Sequence, residues 1–159
     1  IGASAEETTG TGTGIDEQSL ACKREVVGAA IERMRDRDPL AALASGSGAD
    51  IVAMTATLIG VATAKIPILL DGVVTSAAAV AAEHLAPGVR EWMVAGHRST
   101  EPGQSRALAF LDRDPILDLG MRLGEGSGAL TALPVINSAI LTLAEMATFE
   151  QANVSDQIS

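Results

Sequence analysis

The chain has 159 residues, 47% hydrophobic and 19% charged, which excludes a disordered tract and admits one domain with a real core. Aromatic residues make up only 2% and Tyr is absent, so the core must be built from Ala, Val, Leu and Ile. The net charge of −9 argues against nucleic acid, where affinity comes mostly from Lys and Arg on phosphates; lone Cys22 excludes an internal disulfide and suits a reducing, cytoplasmic setting.

In chain order, residues 1–15 (IGASAEETTGTGTGI) read as a flexible, loop-like end. Asp16 is a fair N-cap for a helix with Leu20, Val27, Ile31 and Met34 at helical spacing, which Pro39 would end. SGSGAD (45–50) punctuates. Residues 50–64 fit a buried helix or a strand plus a turn, and length with Ala/Gly/Thr content favours the helix. IPILLD (66–71), closing on Asp71-Gly72, reads as a buried parallel strand. Residues 73–85 are Ala-rich and helical, and Pro87-Gly88 closes them. WMVAGH (92–97) is a second strand candidate, RSTEPG (98–103) a polar loop, and a helix covers about 104–111. PILDLGMRLGEGSG leads into a last helix over about 128–149, with a bend possible at Pro134. The tail from Ala152 is polar and expected to fray, so 152–159 join 1–15 as flexible ends. This alternation predicts α/β with a parallel sheet, although two strands are thin against the usual 4–6 or so.

Mean hydropathy of +0.28 raises the question of a membrane. The longest uncharged run, Gly126 to Ala144, contains Pro134, Asn137 and several hydroxyl residues, and reads better as a helix covered on most sides by protein. The acidic, Gly/Thr-rich start lacks the basic region of a secretory leader, and opening on Ile1 suits a piece of something longer.

Ligands of open α/β sheets bind beyond the carboxyl ends of the strands. That rule selects Asp71-Gly72, Gly96 to Ser99, and Gly124-Glu125-Gly126 before the last helix, which could line one rim. Glu125 stands between two glycines that would let a ligand approach closely. The helix start beyond it favours the ionised form, as a general base requires. The same spacing fits a capping or turn Glu. Asp71 either caps the next turn or orients a polar ligand edge. Lys23 follows a TGTGTG loop, a weak anion-site signal with no phosphate-loop pattern, and it also fits a solvated helix charge. His84 and His97 lack metal-ligand partners at helical spacing, so no metal is expected. Ser127 lacks a nucleophile-elbow context and Cys22 an activating base.

Several stretches then combine: TGTGID, CKREVV, IPILLDGVVTSAAAVAA, VAGHRSTEPG, LDLGMRLGEGSGALTALPVI and LAEMATFEQA, in this order. Over about residues 10–152 the chain resembles the C-terminal half of the nicotinate-nucleotide–dimethylbenzimidazole phosphoribosyltransferases of cobalamin lower-ligand assembly. The family's upstream glycine-rich segment is absent from this sequence. The resemblance implies a Rossmann-like three-layer α/β fold with parallel strands and Ala-rich helices, incomplete without the N-terminal half. It implies transfer of phosphoribose from nicotinate mononucleotide to 5,6-dimethylbenzimidazole, giving α-ribazole 5′-phosphate and nicotinate. It further implies a cytoplasmic, cofactor-free homodimer with small-molecule substrates, and a fragment that is weakly active or inactive by itself. By the same resemblance Glu125 is the catalytic carboxylate, Lys23 lies near the phosphate, and Asp71 and Ser99 line the substrate pocket. Gly12 belongs to the phosphate-side loop, Gly124 flanks the base, and Met121, Leu123, Leu130 and Leu133 could wall a flat dimethylated ring. A non-catalytic nucleotide- or azole-binding module, or a structural dimerisation half, are the other readings.

Overall fold

The computed structural model describes residues 1–153. Asp16 opens a helix as its sequence predicts: its carboxylate accepts from the Ser19 amide at 2.8 Å and caps α2 (Glu17–Met34). That bond, above all, holds the Asp16 carboxyl below the ordinary carboxylate value. Pro39 does not end α2. It is the first residue of a further helix, α3 (Pro39–Gly46), where its missing N–H costs nothing, and Asp38 caps that helix through the amides of Leu40 and Ala41. The presumed loop before residue 15 also holds a turn of helix, α1 (Ala5–Thr8), closed by reciprocal bonds between Ser4 and Glu7.

The remaining elements are α4 (Ala49–Thr63), β1 (Ile68–Leu70), α5 (Val73–Leu85), a 3-10 turn (Val89–Trp92), β2 (Met93–Ser99), α6 (Pro102–Leu111), β3 (Pro115–Met121) and α7 (Ser127–Glu145). The sheet is parallel with strand order β1-β2-β3. The Ala/Gly/Thr-rich run is thus a helix, and the β2 strand extends through His97 and Ser99, which the sequence reading gave to its end and to a loop. β3 escaped that reading because Asp118 and Gly120 interrupt its apolar pattern. Between the pairs His97–Leu117 and Ser99–Met121 β2 advances two residues and β3 four, and Gly120 takes φ +63° inside this irregularity.

Each strand-to-strand connection runs through one helix, α5 and then α6, and these two helices pack together. Side chains alternate along β2, so Met93 and Ala95 turn to one face and Gly96 to the other. On the first face Leu70, Met93, Ala79, Ala82, Ala62 and Leu111 form the core, with Phe110 and Trp92 at its margin. Alanines dominate because α4, α5 and α6 must pack closely without aromatic spacers. On the second face lies α7. A Cβ on Gly96 would stand 2.9 Å from the Ala129 Cα, so only glycine admits the helix at this depth.

α7 differs from its expectation. Only Gly128 and Ala132 are buried in it, while Leu130, Ile140, Leu141 and Leu143 are exposed. The cover expected for this apolar run is not supplied by the described residues. By length and composition the helix could also cross a membrane.

Leu111 is fully buried at the centre of the core. Leu111→Ala should therefore cost about 2–5 kcal/mol in urea unfolding, the range for a large-to-small core change. A loss under about 1 kcal/mol would show that the centre has been misplaced.

Candidate functional site

β1 ends at Leu70, and the next residue, Asp71, is 7% exposed although charged. A carboxylate at that depth must be partnered. Its Oδ1 accepts from the amides of Gly128 (2.9 Å) and Ala129 (3.0 Å), and Oδ2 from that of Gly126 (3.1 Å). These are the opening amides of α7, which no local side chain caps. Asp71 therefore caps a helix 55 to 58 residues away in sequence. It does not cap its own turn, and its oxygens face backbone amides, with the helix dipole adding to their pull.

The turn so held carries Glu125. Gly124, Glu125 and Gly126 all have positive φ, at +84°, +57° and +80°. Glycine adopts this region freely, whereas an L side chain such as that of Glu125 is strained there by about 1–2 kcal/mol. The Ser127 amide closes the turn on the Gly124 carbonyl at 3.0 Å, and Gly126 accepts from the Leu130 amide at 2.9 Å. Glu125 is exposed, as are Leu123 and Leu130, so the sheltered apolar wall expected around the carboxylate is not formed by the described residues.

His97 supports the turn from below. Its side chain is buried, and Nε2 lies 3.6 Å from Asp71 Oδ1. A Cβ on Gly128 would overlap this ring, so the third glycine of the GEGSG run makes room for a histidine. His84, the other histidine, is structural: Nδ1 lies 2.9 Å from the Val80 carbonyl and the ring stacks on Phe110. Among the described residues no group of three or more His, Cys, Asp or Glu could hold a metal ion.

A second group of residues adjoins the first through Gln104, which is fully buried. Its Nε2 donates to the carbonyls of Asp71 and His97, both at 3.0 Å, and its Oε1 accepts from the Ser99 amide at 2.5 Å. One amide side chain thereby staples the ends of β1 and β2. Ser99 Oγ accepts from the Glu101 amide at 3.2 Å. Glu101 in turn reaches the glycine loop, accepting from the Gly12 amide at 2.6 Å, with Lys23 Nζ 3.7 Å from its other oxygen. Lys23 also donates to the Gly10 carbonyl at 2.9 Å.

The structure thus brings Asp71, Gly124 and Glu125 into one cluster and Ser99, Lys23 and Gly12 into another. Gln104 joins the two. Sequence reasoning missed Gln104, Glu101 and the supporting role of His97. The sequence held a faint signal, since Glu101 and Gln104 flank Pro102-Gly103, where a polar loop meets a helix.

Comparison with known proteins gives this arrangement a context. A family model described as a phosphoribosyltransferase matches residues 1–154. The chain belongs to this family. A nicotinate-nucleotide–dimethylbenzimidazole phosphoribosyltransferase of Mycobacterium avium (strain 104) is 52% identical over 149 residues, covering 92% of this chain and 43% of the relative. The enzyme of that name from Corynebacterium glutamicum (strain ATCC 13032) is 48% identical over 152 residues, 94% of this chain and 42% of the relative. The crystal structure of CobT from Thermus thermophilus superposes with a TM-score of 0.92 at 39% identity, covering 98% of this chain and 46% of that one. The chain therefore spans less than half the length of these relatives.

Two expectations about stability follow from the Asp71 cap and the turn it holds. Asp71→Ala leaves three amides without their acceptor and should cost about 2–4 kcal/mol in denaturant unfolding. Hydrogen exchange at Gly126, Gly128 and Ala129 should accelerate selectively, and unchanged protection there would remove Asp71 from the cap. Glu125→Gly should act the opposite way, raising stability by about 1 kcal/mol through relief of the left-handed strain. A destabilised Glu125→Gly chain would mean that the carboxylate has partners of its own.

Proposed function

We propose that this chain is the acceptor-side half of a nicotinate-nucleotide–dimethylbenzimidazole phosphoribosyltransferase, a cytoplasmic enzyme acting on small molecules. In the reaction the N-glycosidic bond of nicotinate mononucleotide breaks, and its electron pair leaves with nicotinate. One nitrogen of 5,6-dimethylbenzimidazole bonds to C1′ from the opposite face, and the proton on its other nitrogen passes to Glu125. The products are α-ribazole 5′-phosphate and nicotinate.

The observation that carries the reading is the strained turn under Glu125. A side chain that lowers stability is held in the left-handed region by an Asp71 clamp from another element, an arrangement that suits a reacting group better than a surface charge. The similarity to enzymes of that name over nearly the whole chain supports the same assignment.

The chemistry needs little else from the protein. Nicotinate departs from a cationic pyridinium, so it requires little help from an acid. The azole N–H grows acidic only as its partner nitrogen attacks, and a fixed carboxylate then takes the proton, for about 10²–10⁴-fold in rate. Lys23 serves the phosphate as a point charge, and Ser99 and Gly124 lie at the pocket margin. The residues missing here relative to the longer enzymes supply the rest of the nucleotide site and the shelter for Glu125. The apolar face of α7 suits burial against that part or against a second copy in a homodimer.

The test joins this chain to the upstream portion of its Mycobacterium avium relative in one polypeptide. Given nicotinate mononucleotide and dimethylbenzimidazole, it should release nicotinate, as read by chromatography. Glu125→Gln should lower kcat by about 10²–10⁴-fold with little change in substrate affinity. Full activity in that variant would falsify the role of Glu125, and binding of both ligands without product would favour a non-catalytic module.

A further inference from the structure

We infer that Glu101 is a positioning residue for the phosphate side of the site, setting the Lys23 ammonium and the Gly10 to Gly14 loop where the nucleotide phosphate is met. The inference rests on the substrate assignment proposed above.

Glu101 follows β2 and stands at the start of α6, 8% exposed. Burying a carboxylate so far is costly unless partners replace its water. Here the partners come from a segment 89 residues earlier, where the Gly12 amide donates to Oε1 at 2.6 Å. The loop is moulded on the carboxylate at a second point too. A Cβ on Gly10 would lie 2.5 Å from Glu101 Oε1 and 2.7 Å from Pro102 Cδ, so the loop fits closely against both the carboxylate and the start of α6. On its other flank the Glu101 amide donates to Ser99 Oγ, which ties the residue to the end of β2. Glu101 thereby couples the glycine loop to the sheet.

Lys23 is the group this coupling serves. An ammonium has three donors on a flexible four-carbon stem, and that freedom weakens any anion site it forms. Here one donor is engaged by the Gly10 carbonyl at 2.9 Å, and the Glu101 carboxylate lies 3.7 Å away. The side chain is still 41% exposed, so an anion can reach what remains of its hydrogen-bonding capacity. The Gly12 amide, by contrast, is already taken by Glu101. An arriving phosphate meets Lys23, and Gly12 contributes through the loop's shape. This narrows the role the resemblance gave to Gly12.

Because Glu101 acts through Lys23, its effect should vanish when Lys23 is gone. In the joined polypeptide, Glu101→Gln keeps an oxygen for the Gly12 amide but removes the charge that orients Lys23. Calorimetry with nicotinate mononucleotide, without acceptor, should show Kd rising about fivefold, while the same change in a Lys23→Met background alters Kd by less than about twofold. Gly10→Ala, whose methyl meets both the carboxylate and the Pro102 ring without altering any charge, should also raise Kd, and by less than about twofold in the Lys23→Met background, which tests the coupling if Glu101→Gln folds poorly.

Unchanged Kd, additive losses in the double variant, or tighter binding from a carboxylate that had competed with phosphate would each overturn the inference. So would a wild-type protein that binds no nicotinate mononucleotide. A protein that binds the nucleotide with this pattern but releases no nicotinate would sink the proposed reaction and leave the role of Glu101 standing.

Discussion

The whole site depends on one buried carboxylate accepting three amides from the start of a distant helix. Without Asp71, α7 would begin on the sheet with its amides bare and no local cap, and only its own backbone bonds would hold the left-handed turn that precedes it. The interaction is strong for a simple electrostatic reason: a full negative charge meets the positive end of a helix in a place from which water is largely excluded. Strand β1 places the acid, Gly96 lets the helix come close, and Gly128 leaves space for the His97 ring. Each of these is a packing condition for the same contact.

Much of this was legible in the residues, and what was not had identifiable causes. Helix α2 could be read from Asp16 and its apolar spacing, and β1 from the β-branched run that ends at Asp71. The rule that ligands gather beyond strand ends selected Asp71, Ser99 and the Glu125 turn, and the folded chain brings these regions near one another through Gln104. β3 was hidden because a polar residue and a glycine break its alternation where the ladder slips. α3 is hidden in the sequence because Pro39 also marks a helix end, although the first position of a helix tolerates it well. The short helix α1 was masked by a sequence that otherwise reads as a loop.

The functional assignments of single residues were harder to read, because they depend on contacts between segments far apart in the chain. No local pattern says that Asp71 caps residues past 125, or that Glu101 answers a glycine loop before the first long helix. Spacing identifies residues suited to a task, and only tertiary contact decides which of them are free to perform it. Asp71 and Gly12 are both engaged internally, while Glu125 is left open.

The placement of β3 has a consequence for how such a chain can be completed. This strand forms one margin of the sheet and is only partly covered, with Leu119 largely open to water. Its outward backbone groups are a template on which another strand can add. The Asp71 clamp and the Glu125 turn sit at strand tips and a helix start, not on that flank. Sideways growth of the sheet can therefore proceed without disturbing the clamp or the turn.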